Sequence, residues 1–267
     1  MLQVTTPVHL IRFAEEAVTH EQDLLVTEAP LEIRIGSTPL AVVMRTPGDD
    51  PDLVLGFALT EGIVSSPAEI ETIRRIEGHP EDARWELVPA HGFVIDPEQF
   101  RRNTYSTSSC GVCGKASIDA VRVAAPQVPE GPLISVEVLL SLPGLLRQAQ
   151  ATFAATGGLH AAGAFEPVGR LVGVREDVGR HNAVDKLVGA LARRGWPLDS
   201  LVLMVSGRVS FEIVQKAAVA RIPFVAGVSA ASSLAVELAN ELGLTLIGFL
   251  RQGSFNVYTG KQRLLGF

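Results

Sequence analysis

A chain of 267 residues with 47% hydrophobic and 19% charged side chains belongs to the globular class and has room for one large domain or two smaller ones. Its formal net charge of −6 leaves no cationic footprint for duplex nucleic acid, and no run of about 18 uninterrupted apolar residues is present to span a membrane. The first 23 residues acquire acids too early for a secretory signal, so a cytoplasmic, reducing setting is expected, one that disfavours a structural disulfide.

Residues 1–23 read as a poorly periodic arm. Next, "LLVTEAPLEIRIGSTPLAVVMRTPG" predicts short strands, with Gly36 to Pro39 as a turn between two of them. Asp49-Asp50-Pro51, an acid followed by proline, predicts a helix start for "DLVLGFALTEGIV". Shorter strand-like pieces follow near 70–76 and 84–95. The chain's only two cysteines then occur in "STSSCGVCGK", residues 106–115, a Ser/Gly-rich stretch that reads as a loop or a helix start. "SVEVLLSLPGLLRQAQATFAATGG" predicts helix, broken or kinked at Pro143 and stopped by Gly157-Gly158.

From residue 159 the pattern alternates. "LHAAGAF" and "RLVGVRE" read as paired strands, and "RHNAVDKLVGALARRG" as a helix with Ala183, Leu187, Ala190 and Leu191 on its apolar face. Strand "LVLMVSG", helix "SFEIVQKAAVA" behind a Ser210 cap, strand "PFVAGVSA", helix "SSLAVELANELG" and strands "LTLIGFL" and "FNVYTG" complete the chain. Apolar strands alternating with short helices predict an α/β sheet covered on both faces. The expected division is an arm over 1–23, an α+β region over 24–130 ending in the C-x-x-C loop, and an α/β core over 131–267.

Three clusters carry candidate chemistry. The first is Cys110-Gly-Val-Cys113. A structural zinc site needs four ligands, and none of the 6 histidines forms an H-x₃₋₅-H pair. The H-x-E that precedes the C-x-x-C of zinc deaminases is missing as well. A thioredoxin-type dithiol belongs near the start of its domain after a first strand, which is not where this motif lies. An inert pair of thiols remains open. So does a polar loop that hands on sulfur, one thiolate holding a sulfane sulfur as a persulfide and Lys115 favouring the anion.

The second cluster, "REDVGRHNAVDK", places Arg180 and His181 at a helix start, with Asn182, Asp185 and Lys186 within the next turn. A helix start behind a buried strand offers free N–H groups to phosphates, although a merely capped and solvated first turn would read the same way. The third, "VSGRVSFE", repeats the plan with Ser206, Gly207 and Arg208. Ligands of open α/β sheets collect at the carboxyl ends of strands, so two such turns with an arginine each suit an anionic nucleotide. "GFLRQGSFNVY", with Arg251 to Ser254 between two apolar strands, reads by itself as a hairpin turn.

Together "TSSCGVCGK", "TGGLHAA", "REDVGRHNAVDKLVG", "SGRVSFEIVQKAA", "GVSAASSLAVELA" and "GFLRQGSFNVYT" resemble the FdhD family of formate dehydrogenase accessory sulfurtransferases, over roughly residues 30–260. The resemblance implies a zinc-free, cytidine-deaminase-like three-layer α/β core with a smaller, β-rich N-terminal α+β region. It implies a homodimer that accepts sulfur from a cysteine desulfurase as a persulfide. That sulfur passes to the molybdenum of bis(molybdopterin guanine dinucleotide), whose place a GDP-like guanine nucleotide can take, and the cofactor then goes to the formate dehydrogenase apoenzyme. The persulfide position matches Cys110, with Cys113 as the second thiol, and the cofactor segment matches Phe249, Leu250, Arg251, Gln252, Gly253 and Ser254. Arg180, His181, Asn182, Asp185, Ser206, Gly207 and Arg208 join that pocket by inference from the two turns. Two further functions stay open: a cofactor-binding chaperone whose thiols are incidental, and a dithiol oxidoreductase.

Overall fold

A computed structural model describes residues 3–76, 83–96 and 125–266. The segment read as an arm is ordered into strands. β1 (Thr5–Ala14) and β2 (Ala17–Val26) pair antiparallel from Thr5↔Val26 to Ala14↔Ala17, closed by Glu15 and Glu16 at φ 50° and 63°. Two consecutive positive φ values make the two-residue turn that matches strand twist. Sequence periodicity misses this ribbon because nearly every side chain in it stays exposed, so no face is selected to be apolar.

A second sheet follows, in the order β4-β3-β6-β5, from β3 (Ala29–Ile35), β4 (Thr38–Arg45), β5 (Ile70–Arg75) and β6 (Ala83–Pro89). In β3 the alternate residues Ala29, Leu31, Ile33 and Ile35 are buried, the period expected of a sheet wet on one face. Between β4 and β5 runs α1 (Asp50–Thr60), with Pro51 in its first turn. Its Leu53, Val54, Leu55, Ala58 and Leu59 are buried on all sides, since the helix is covered by this sheet and by the core behind it.

The core begins with β7 (Ile134–Ser135), α2 (Val136–Ala149) and α3 (Ala151–Thr156). Of the two outcomes expected at Pro143, a break or a kink, the break does not occur. Pro143 lies inside α2, and the interruption falls at Gln150, at φ −86° and ψ 77°. Leu139, Leu142 and Leu146 bury against the sheet on either side of the proline, and that packing offsets the one helix bond that Pro143 cannot make.

Six strands form the central sheet in the order β13-β12-β11-β10-β8-β9. They are β8 (His160–Phe165), β9 (Leu171–Asp177), β10 (Val202–Val205), β11 (Phe224–Gly227), β12 (Thr245–Arg251) and β13 (Ser254–Thr259). β10, β11 and β12 are parallel, while the β8, β9 and β13 pairings are antiparallel. The chain ends in β14 (Leu264–Leu265), which pairs with β7. Period two sorts the strands cleanly. Leu203, Val205, Val225 and Leu246 face α4 (Arg180–Ala192), α5 (Phe211–Val219) and α6 (Ser233–Leu242), whereas Val202, Met204, Phe224 and Ala226 face α2. The result is a mixed α/β protein with helices on both faces of the sheet.

Candidate functional site

Strand direction assembles the site. β9, β10, β11 and β12 all run one way, so their carboxyl ends share one edge of the sheet. β8 runs the other way and contributes its first residue, His160, which pairs with Asp177 at the end of β9. On the other side of β8, Ser206 N donates to Ala161 O at 2.9 Å and Ala161 N donates to Ser206 Oγ at 2.8 Å, which carries the ladder one step past β10. Phe249 N donates to Ser229 O at 3.0 Å, holding β12 beside the turn that follows β11.

His160, Arg180 and Arg208 converge on this edge. A β-carbon built on Gly207 would lie 3.3 Å from His160 Nδ1 and 4.0 Å from Arg180 Cδ, so a side chain at 207 would crowd both groups. Burial holds the half-buried His160 imidazole below the usual histidine pKa; Arg180 and Arg208 push the same way, and Asp177 opposes them. Arg180 Nε is buried without a hydrogen-bond partner among the described residues. The arrangement is a neutral ring between two guanidinium groups at the ends of strands, chemically suited to a multivalent anion.

Around this edge Asp177 fixes the start of α4. Gly179 has no side chain with which to cap the helix, and Asp177 takes over: its carboxylate accepts from Gly179 N at 2.8 Å and Asn182 Nδ2 at 3.0 Å. It also accepts from Thr46 N at 3.1 Å and pairs with Lys186 Nζ at 2.8 Å. Asn182 is therefore occupied, donating in addition to Met44 O at 2.7 Å. His181 is buried, its Nε2 3.4 Å from Ser210 Oγ and 3.8 Å from the Glu212 carboxylate. Ser210 itself makes no side-chain cap to α5.

Asp185 sits apart from the strand ends. One of its carboxylate oxygens accepts from Thr60 Oγ1 at 2.7 Å and the other from Lys216 Nζ at 3.0 Å, while Lys216 also reaches Glu61 at 2.9 Å. Burial disfavours the Lys216 ammonium, but Asp185 and Glu61 outweigh it and hold its pKa above the usual lysine range. The Asp185 side chain ties α4 to α1 and α5 and has no free oxygen to offer a ligand.

In the segment 249–254, Phe249 is exposed at φ 51°, Leu250 is buried in the core, and Arg251 pairs with Ser254 across a turn of Gln252 and Gly253. The hairpin reading of the sequence holds locally, and its exposed tip extends beyond the shared edge. Cys110, Cys113 and Lys115 lie outside the described residues. Among the described residues no three His, Cys, Asp or Glu side chains converge as a metal site.

His160 escapes the sequence reading of the site. The available signal is local: a polar residue opens the apolar strand that follows Gly157-Gly158. Its neighbours Arg180 and Arg208 come from segments 20 and 48 residues downstream, and only strand pairing brings them together.

Comparison with known proteins gives a consistent set of matches. The model of the FdhD/NarQ family matches residues 26–265. Proteins named Sulfur carrier protein FdhD are similar over nearly the whole chain. The one from Streptomyces avermitilis is 50% identical over 273 residues, covering 99% of this chain and 97% of its own. Those from Nocardia farcinica and Sulfolobus acidocaldarius are 47% and 41% identical, covering 98% and 91% of this chain and 95% and 92% of their own. A crystal structure of a candidate formate dehydrogenase accessory protein from Desulfotalea psychrophila superposes with a TM-score of 0.77 at 20% identity, over 98% of this chain and 100% of that one. That likeness establishes the fold.

Proposed function

The chain belongs to the FdhD/NarQ family, and from that premise we propose that it is a sulfur carrier whose Cys110 takes sulfur from a cysteine desulfurase and whose strand-end edge holds the recipient cofactor. The recipient is bis(molybdopterin guanine dinucleotide)-bound molybdenum, bound as cargo and passed on to formate dehydrogenase. The observation that supports the binding half is the convergence of His160, Arg180 and Arg208 at the carboxyl ends of the strands. The names of the curated relatives support the carrier half.

The chemistry balances with two thiols. Cys110 thiolate attacks the outer sulfur of the donor's persulfide; a new S–S bond forms on Cys110 and the donor leaves as a thiolate. For release, Cys113 thiolate attacks Cys110 Sγ. The two cysteines are oxidised to a disulfide, and the sulfane sulfur departs, reduced by two electrons, as sulfide for the metal. Guanidinium groups of Arg180 and Arg208 hold the phosphates of the guanine dinucleotide, and the exposed Arg251 to Ser254 turn flanks them.

The family resemblance also supports a cytoplasmic homodimer with a zinc-free, cytidine-deaminase-like core. No helix among the described residues is long and apolar enough to cross a membrane. Mass spectrometry after incubation with a desulfurase and cysteine tests the proposal: an added sulfur on Cys110 is expected, lost in Cys110→Ala. Full activation of formate dehydrogenase by Cys110→Ala would overturn the carrier role and leave a chaperone that only binds the cofactor.

A further inference from the structure

His160 is in none of the three clusters of candidate chemistry, yet it lies on the strand-end edge, where β8 runs between β9 and β10. It opens β8 between the end of β9 and the turn after β10, with its ring directly over Gly207. The charged groups acting on the ring come from each neighbouring element: Asp177 from β9, Arg180 from α4 and Arg208 from the turn before α5. Two cations and one anion surround it, and the anion is already engaged by Lys186, Asn182 and the backbone of Gly179. Among the described residues neither guanidinium has an ion-pair partner, so a proton on His160 would face both cations.

We infer that His160 is a ligand-contacting residue of this site and that it takes up one proton when a phosphate ester seats between Arg180 and Arg208. The inference rests on the nucleotide reading of the edge and deepens it, because an anion there reverses the local field. Phosphate oxygens neutralise both guanidinium groups and accept a hydrogen bond from the ring. The proton comes from solvent and goes to the unprotonated ring nitrogen; no covalent bond other than that N–H changes. By linkage, whatever raises the proton affinity of His160 on binding must tighten binding in acid by the same factor.

The test follows the His160 ring resonances through a pH titration with and without GDP, and in parallel with inorganic pyrophosphate; His160→Gln provides the assignment and a control. A rise of about one pKa unit on adding either probe is expected, which corresponds to roughly tenfold tighter binding on the acid side of the titration than on the alkaline side. In His160→Gln that part of the pH dependence should vanish. A His160 titration unmoved by bound GDP, or GDP binding by His160→Gln with unchanged pH dependence, overturns the inference while the nucleotide reading stands. If pyrophosphate binds with the shift and GDP does not bind, the proton uptake stands and the guanine reading falls. If neither probe binds, both fall.

Discussion

Lys186 Nζ lies 2.8 Å from the Asp177 carboxylate, and neither side chain is more than 2% exposed. The pair spans the first two turns of α4, and through Asp177 it also holds Thr46, Gly179 and Asn182. Such a pair gains little against an apolar replacement, but breaking it by removing one partner strands a charge. Lys186→Met is therefore expected to cost about 3–5 kcal/mol in urea unfolding. Asp177→Asn combined with Lys186→Met should cost less than the sum of the single changes, since the stranded charge is gone. Additive costs would contradict the coupling.

The approach of α1 to α4 depends on two glycines. A β-carbon on Gly56 would sit 1.8 Å from Asp185 O, and one on Gly189 would sit 1.9 Å from Asp52 O. Both obstacles are backbone, which cannot rotate away. Gly189→Ala should destabilise by about 3 kcal/mol or more, at the upper end of overpacking costs. Gly195→Ala, with nothing within 4 Å of the added atom, should leave the melting temperature nearly unchanged. Comparable melting temperatures for the two variants would mean that the helices do not cross this closely.

On the proposed reading, Arg208 meets phosphate from an exposed position. Arg208→Ala should weaken GDP binding by about 10- to 100-fold, the loss of one charge-assisted hydrogen bond or two, measured by calorimetry. Its unfolding midpoint should match that of the unmodified protein. Unaltered affinity would remove Arg208 from the site.

Acid should expose His160 through stability as well as binding. The folded protein holds this ring below the usual histidine pKa, so below about 6.5 the unfolded chain binds more protons than the folded one. Stability is then complete at neutral pH and falls as pH drops through the histidine range. Lys216, raised in the folded state, adds stability that disappears only in strong alkali and leaves this window untouched. His160→Gln should flatten the decline between pH 7 and about 5 in chemical denaturation. An unchanged decline would show that the ring titrates normally.

Much of the core could be read directly. The apolar runs at 202–205, 224–227 and 246–250 are short, free of polar side chains and separated by amphipathic helices, which is what burial of a parallel sheet on both faces requires. The starts of α4 and α5 at Arg180 and Phe211 fall where the sequence places them, although neither Gly179 nor Ser210 caps its helix with a side chain. The β1–β2 ribbon could not be read, because a ribbon that buries almost nothing has no pattern to display.

Residue types and spacing alone determined the α/β class, the strand-to-helix turns that carry Arg180 and Arg208, and the pairing of the only two cysteines in one C-x-x-C. Tertiary structure decided which polar residues are spent and which remain open. Asp185 stands in the sequence one helical turn after His181, among the candidate pocket residues, but Lys216, 31 residues further on, claims its carboxylate. His160 looks like the first residue of an ordinary strand, but the pairing of β8 with β9 and β10 sets it between two arginines. Local periodicity records which side of an element is buried. What lies on the other side of that burial depends on sheet order and helix crossing, and both arise only when distant segments meet.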